Sequence, residues 1–429
     1  MSIEKDKSYI CFCFITKKLV IFAFILYNML EVKDMINRPI YMNTLISSIG
    51  NNMVKLLVGV RRSGKSTLLK LLKEHLLKNG VSKSQIIEIN FEMIEFDSLK
   101  DMKNLHQYIS DRIDLSNKNY LFIDEVQEIP EWARTINSIR VTFDIDIYVT
   151  GSNARVFTGE HLTYLAGRYL SIDVYPLSFS EIATFLVKEE TINVYNNFLD
   201  SSFPGVVLES KDEIKNIMKQ DLFDTIFQRD MILKGKIRNE SVFFKVVRYV
   251  LEHIGSMVSV NKIRDTLVSD GIKISYEAVD NYINLMVKSY FLYPCLRYDI
   301  KGKEILKTNN KYYVVDFGIR QKIVPNIESN TGRILENFVY LELIKHGYNV
   351  FIGKVGRDFE IDFLALKADR KIFIQVSETI LDPKTREREM KPFTMINELG
   401  ERYIVSLDKQ IYASEFFKHL YLPEFIKIL

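Results

Sequence analysis

Gly59-Val60-Arg61-Arg62-Ser63-Gly64-Lys65-Ser66-Thr67 is the stretch on which the fold of this chain turns. It meets the pattern G-x-x-x-x-G-K-[ST] at every position, and its flanks have the character the pattern needs. Lys55-Leu56-Leu57-Val58 before it reads as a buried strand. Thr67-Leu68-Leu69-Lys70-Leu71-Leu72 after it opens a helix with leucines at helical spacing, ending near Asn79-Gly80. Strand, glycine-rich loop and helix in that order turn successive backbone N–H groups and a helix N-terminus toward one anion. The loop is therefore the expected cradle for a nucleoside triphosphate. Lys65 reaches its β- and γ-phosphates, and the Ser66 hydroxyl is a ligand for Mg²⁺. A chance Gly-Lys-Ser turn would lack both flanks.

Such a loop works with an acidic residue at the end of a neighbouring strand, and Tyr120-Leu121-Phe122-Ile123-Asp124-Glu125 offers two. At the carboxyl end of a strand the turn lets adjacent side chains reach one crevice. Asp124 is expected to hold Mg²⁺ through water. Glu125 is expected to polarise the attacking water, a task for a carboxylate that is close to the metal but not bound to it. Ile86–Phe91 and Ile145–Thr150 read as two more strands. The second runs into Gly151-Ser152-Asn153, where Ser152 is preferred over Asn153 as the sensor of a γ-phosphate. Strands alternating with helices predict an α/β fold built on a doubly wound parallel sheet.

The runs GVRRSGKSTLL (59–69), LFIDEVQ (121–127), YVTGSNARV (148–156) and LAGRYLSIDVYPLSFSEI (165–182) together resemble a family of prokaryotic AAA-fold P-loop ATPases. Its members carry a winged-helix segment and a C-terminal, restriction-nuclease-like domain of uncharacterised function. The resemblance runs from about Ile36 to the C-terminus. It implies ATP and Mg²⁺ as cofactors. It also implies that Arg168 acts on the nucleotide, as an arginine finger toward a neighbouring subunit, so that copies of the chain assemble. A guanidinium suits that task because it neutralises charge spread over the γ-phosphate oxygens; the competing reading is an Arg paired with a surface carboxylate.

Residues 177–240 read as a helical lid broken at Ser201-Ser202-Phe203-Pro204-Gly205, with apolar spacing through Leu222, Ile226 and Met231. Asp224, Arg229 and Asp230 are expected to pair among themselves. Residues 241–325 have the rhythm of a winged helix, with helices from Ser241, after Ser259 and after Ser275, then strands from Tyr290 to Val315. The third helix carries Glu277 and Asp280 and only Lys288 near its end, the wrong charge for a DNA groove, so a hinge or protein contact is preferred. Residues 326–429 follow the order of metal-dependent restriction-type nucleases. The corresponding positions, a second candidate metal site, are Glu336 on a helix, Asp362 on a strand, and Gln375 two residues before Ser377. Glu360 shares a strand face with Asp362. Ser377 stands where such enzymes have lysine and cannot supply its charge. A docking or binding domain is preferred over an active nuclease.

Composition is consistent with this organisation. The 429 residues include 58 Lys+Arg and 55 Asp+Glu, for a net charge of +3, with 47% hydrophobic and 26% charged residues, the mix of a globular protein. Near-balanced charge gives no global field for nucleic acid; any such contact needs a local patch. Cys11, Cys13 and Cys295 make no disulfide framework, the usage of a reducing compartment, so a cytoplasmic location is expected. Residues 1–34 stand apart as an apolar extension. Its longest uncharged run after Lys17 and Lys18 is Leu19–Leu30, twelve residues, against about 20 for a spanning helix, so a membrane role is not expected. Met35-Ile36-Asn37-Arg38-Pro39 reads as the native start, and residues 35–176 as the ATPase core. The function expected is ATP hydrolysis that rearranges domains on a protein or nucleic-acid partner. The alternatives are an ATP-gated nuclease acting on DNA or RNA and a nucleotide-sensing switch that binds a protein.

Overall fold

β1 (Val54–Val58) is buried along its whole length, and its alternation divides the first core in two. In the computed structural model, which describes residues 38–154, 163–186, 191–325, 331–356 and 358–429, Val54, Leu56 and Val58 face one side and Leu57 the other. β2 (Ile86–Asn90), β3 (Asn119–Asp124), β4 (Ile145–Gly151) and β5 (Tyr169–Asp173) align with it in the order β2-β3-β4-β1-β5, all parallel. On the first face Leu105, Ile109, Trp132, Ile136 and Ile139 come from the helices Met102–Ser110 and Trp132–Thr142. On the second, Leu68, Leu72 and Leu76 of the helix Lys65–Lys78 and Tyr41 and Leu45 of the helix Pro39–Ser47 cover Leu57, Phe122 and Tyr148. Each such leucine contributes roughly 1.5–3 kcal/mol by leaving water. Helices on both faces of a parallel sheet make this the doubly wound α/β arrangement. The fifth strand, β5, is an addition to the four expected. The extension 1–34 and the start at Met35 lie outside the described residues.

Lys55 is buried inside β1 because β4 brings Asp146 beside it. The two form an ion pair, and the Asp146 carboxylate also accepts from Tyr148 Oη (2.9 Å) and Gly50 N (2.9 Å). Burial nonetheless pulls the Lys55 ammonium below the usual lysine range, against the pull of Asp146.

Helices Phe179–Phe185, Thr191–Asp200, Pro204–Leu208 and Asp212–Thr225 follow β5, and the last continues as a π-helix over Ile226–Leu233. Three more helices, Glu240–Glu252, Val260–Ser269 and Tyr276–Lys288, each start on a side-chain cap: Asn239, Ser259 and Ser275. β6 (Leu292–Asp299) and β7 (Glu304–Val314) form an antiparallel hairpin. β6 also pairs in parallel with β8 (Asn349–Val355), so the hairpin belongs to a mixed seven-stranded sheet. β9 (Phe359–Lys367), β10 (Arg370–Val376), β11 (Glu401–Ser406) and β12 (Lys418–Tyr421) complete it in the order β12-β11-β10-β9-β8-β6-β7. One sheet therefore crosses the boundary expected at 325/326. Among the described residues no helix is long and apolar enough to cross a membrane.

Candidate functional site

Because β1, β3, β4 and β5 are parallel and nearly in register, their carboxyl ends meet at one edge: Val58 lies beside Gly151 and Asp173, and Ile123 beside Val149. The loop 59–64 leaves that edge. Gly59 has φ +147°, and a Cβ there would lie 2.1 Å from the Val174 carbonyl oxygen, so only glycine lets β5 pass this close. Gly64 caps the following helix at φ 99°. Lys65 is buried in the loop, its Nζ donating to the carbonyls of Gly59 (2.9 Å) and Val60 (2.8 Å). Burial lowers its pKa to about 8, opposed by the Glu125 and Asp124 carboxylates and reinforced by the Arg61 charge.

The acidic pair reaches the same crevice from β3. Asp124 accepts from the hydroxyls of Thr150 and Ser66, yet burial keeps its pKa above the ordinary carboxylate value. Hard oxygen donors of Ser66 and Asp124 are thus adjacent, a pair that fits Mg²⁺. Glu125 leaves the strand in the left-handed region, φ 58°, and its N–H donates to Thr150 Oγ1 (3.0 Å). Its carboxylate accepts from Ser152 Oγ (3.1 Å) and from the Gln127 amide. Ser152 is therefore held on the Glu125 carboxylate. Thr150 and Gln127 are missed by the sequence reading; the signal for Thr150 is a polar residue ending an otherwise apolar strand.

Arg61 and Arg62 reach the helical stretch 212–233. Arg61 is 7% exposed and makes three contacts: Nε to Asp230 Oδ2 (3.2 Å), NH1 to Glu92 Oε1 (3.3 Å) and NH2 to Ser152 Oγ (3.4 Å). Arg62 pairs with Asp221 (2.6 Å), both half exposed. Asp230 thus finds Arg61 and Lys234 (3.1 Å), not the local partners expected of it. Asp224 instead accepts from Gln220 (3.0 Å).

Arg168 lies elsewhere. It precedes β5, it is exposed, and its carbonyl accepts from Val54 N (2.9 Å) at the amino end of β1. The length of β1, roughly 13 Å for four residue steps, separates it from the phosphate loop. Within one chain its backbone sits at the opposite edge of the sheet from Lys65.

In the C-terminal sheet Glu336 accepts from Lys311 Nζ (2.8 Å) and Tyr313 Oη (2.6 Å). Burial acts to lower the Lys311 pKa, but Glu336, Asp362 and Glu360 raise it overall. Asp362 accepts from Val376 N (2.8 Å). Gln375 accepts from Asp362 N (2.7 Å) and donates to Glu389 (2.8 Å), so its oxygen faces backbone. Among the described residues no group of three His, Cys, Asp or Glu side chains is arranged to hold a metal. The cation in this crevice is the Lys311 ammonium, from a strand the sequence reading did not connect to the site; Ser377 bonds the Thr379 carbonyl (3.0 Å) instead.

Residues 51–183 match the family described as an AAA domain, and residues 178–330 one described as a domain of unknown function (DUF8612). An uncharacterized protein of Haemophilus influenzae is 34% identical over 355 residues, covering 80% of this chain and 87% of that protein. An uncharacterized protein of Methanocaldococcus jannaschii is 29% identical over 397 residues, covering 88% of this chain and 85% of the other. A Walker-type ATPase of Pyrococcus abyssi overlays with a TM-score of 0.44 at 15% identity, covering 68% of this chain and 97% of that one.

Proposed function

Since the chain belongs to one family with the uncharacterized Haemophilus influenzae protein and its residues 51–183 match an AAA domain, we propose that it hydrolyses ATP with Mg²⁺ and uses the nucleotide state to move its C-terminal parts on a macromolecular partner. The observation that carries this reading is the convergence of Lys65 and Ser66 with Asp124 and Glu125 in one crevice, from β1 and β3 with β4 between them. Loop amides and Lys65 bind the phosphates. Ser66 and Asp124 hold Mg²⁺, which when bound neutralises charge on the phosphate oxygens. Glu125, oriented by Ser152 and Gln127, accepts the proton of the attacking water. Arg168 serves another copy of the chain or serves no nucleotide.

Glu125→Gln tests the assignment. It is expected to lose turnover by at least about 10²-fold while binding ATP as before. Turnover within twofold of wild type removes Glu125 from the chemistry. Running the assay with DNA, with RNA and with cell extract identifies the class of partner by which one stimulates the rate.

A second reading, a metal-dependent nuclease in the C-terminal sheet, has the Lys311 ammonium beside Glu336 in its favour and, against it, the lack among the described residues of a side-chain group arranged to hold a metal. Metal-dependent cleavage of DNA or RNA that disappears in Asp362→Ala would support it; no cleavage with Mg²⁺ or Mn²⁺ would discard it.

A further inference from the structure

Three polar clusters lie outside the phosphate-loop machinery: the Lys311–Glu336–Asp362 crevice, the buried Asp316 carboxylate that accepts from Ser201, Ser202 and Ile319, and the contacts of Arg61. The third carries furthest. We propose that Arg61 is the guanidinium that meets the γ-phosphate within the same chain, and that its bond to Asp230 passes that contact into the segment Ile226–Leu233. This rests on the reading of the loop as an ATP site and adds to it the group that distinguishes ATP from ADP.

Glu125 is the carboxylate that takes the proton of the attacking water, so the γ-phosphorus must lie beside it. Ser152 Oγ is 3.1 Å from that carboxylate, and Arg61 NH2 is 3.4 Å from Ser152 Oγ. A guanidinium one hydroxyl away from the water-polarising group, on the phosphate loop itself, is placed for the γ-phosphate oxygens, whereas Arg168 is a strand length away at the other edge. In the hydrolytic step the water oxygen bonds the γ-phosphorus as the bridging oxygen leaves with ADP. The water proton passes to Glu125, and Arg61 stays protonated throughout, offsetting charge on the equatorial oxygens.

Asp230 gives the contact a consequence. It is 3% exposed, and one carboxylate serves two cations from different elements, Arg61 at 3.2 Å and Lys234 at 3.1 Å. A buried ion pair is weak evidence for stability, because desolvation offsets most of its attraction; its attested use is to specify one arrangement over another. Asp230 also sits in a π-helix, a form rare in proteins and frequent at functional sites, whose turns take in more residues than α-turns and so have an α-form to relax into. A γ-phosphate that shares the Arg61 guanidinium weakens its hold on Asp230, and the lid segment responds. Arg62–Asp221, by contrast, is a half-exposed pair that solvent screens.

The test compares Mg²⁺ with ADP and with a non-hydrolysable ATP analogue, measured by calorimetry on the full chain. Wild type is expected to prefer the ATP analogue. Arg61→Gln is expected to lose that preference with ADP affinity within about threefold, and kcat is expected to fall on the order of 10³-fold with KM changed far less. If Arg61→Gln alone does not give a cooperative melt, Arg61→Gln with Asp230→Asn removes the buried carboxylate that has lost one of its two cations and takes its place. Amide hydrogen exchange over 226–233 is expected to differ between the two nucleotides in wild type and to become the same in Asp230→Asn. A folded Arg61 variant that keeps both the preference and the turnover overturns the proposal and leaves Arg61 a structural clasp. Equal exchange over 226–233 with both nucleotides in wild type overturns the link to the lid. A wild type that binds neither nucleotide overturns the ATP site, and this proposal with it.

Discussion

Burial holds Lys65 at about 8, well under its ordinary 10.5, although Asp124 and Glu125 stand beside it. The lysine is therefore placed for a polyanion, not for the stability of the free protein. Between pH 8 and 10.5 the unfolded chain binds more protons at this site than the folded one, so the Lys65 contribution to stability rises with pH across that window; below pH 8 both states are protonated and the penalty is constant. Lys65→Met is expected to stabilise the nucleotide-free protein by on the order of 2 kcal/mol at pH 7, with the advantage shrinking toward pH 10. Urea denaturation at the two pH values checks it; a variant less stable than wild type at pH 7 contradicts it. Lys65, Ser66, Asp124 and Glu125 were legible because each follows an apolar strand at a fixed spacing. Asp230 was not: its partner Arg61 is 169 residues away, and nothing local distinguishes it from Asp224.

At the scale of elements, the strands most legible in the sequence are those buried along their whole length. β1, β3 and β4 are apolar throughout or, like Lys55, carry a charge whose partner lies on the next strand. β5 hid itself because Ser171 and Asp173 are exposed and Tyr169 and Leu170 half-buried, the pattern of an edge strand. The hairpin β6–β7 was legible as strands, but its sheet was not, since β6 joins β8 across more than fifty residues of chain. Leu296, Arg297, Tyr298 and Asp299 pair with Phe351–Lys354, and Arg297 adds an ion pair to Glu360 (2.9 Å). Slow-exchanging amides of β6 are therefore expected to open together with those of β8 and β9, and not with the helices Glu240–Glu252 to Tyr276–Lys288. Hydrogen exchange in low denaturant distinguishes the two; opening in step with those helices would show that the hairpin belongs to them.

At the scale of the whole molecule, buried contacts tie the helices Phe179–Phe185 and Thr191–Asp200 to the helix Thr331–Lys345. Phe338 packs against Phe179 (5.9 Å between ring centroids), Tyr195 (5.3 Å) and Phe198 (4.5 Å). Glu342 accepts from Phe179 N (3.1 Å), and Lys345 Nζ donates to Leu177 O (2.8 Å). Asp316 accepts from Ser202 N (2.7 Å) and Ile319 N (3.0 Å), joining the break at Ser201-Ser202 to the segment after β7. Packed contacts thus join the helices after β5 to the helix that lies on the seven-stranded sheet. The proposed function presupposes that the loop takes a triphosphate. Calorimetric titration of Mg²⁺ and ATP into wild type and Lys65→Ala tests that most directly. The expected result is one site per chain in wild type, with Kd below about 1 mM, and no measurable binding in the variant. Equal affinity in the two proteins, or no heat in either, would contradict it.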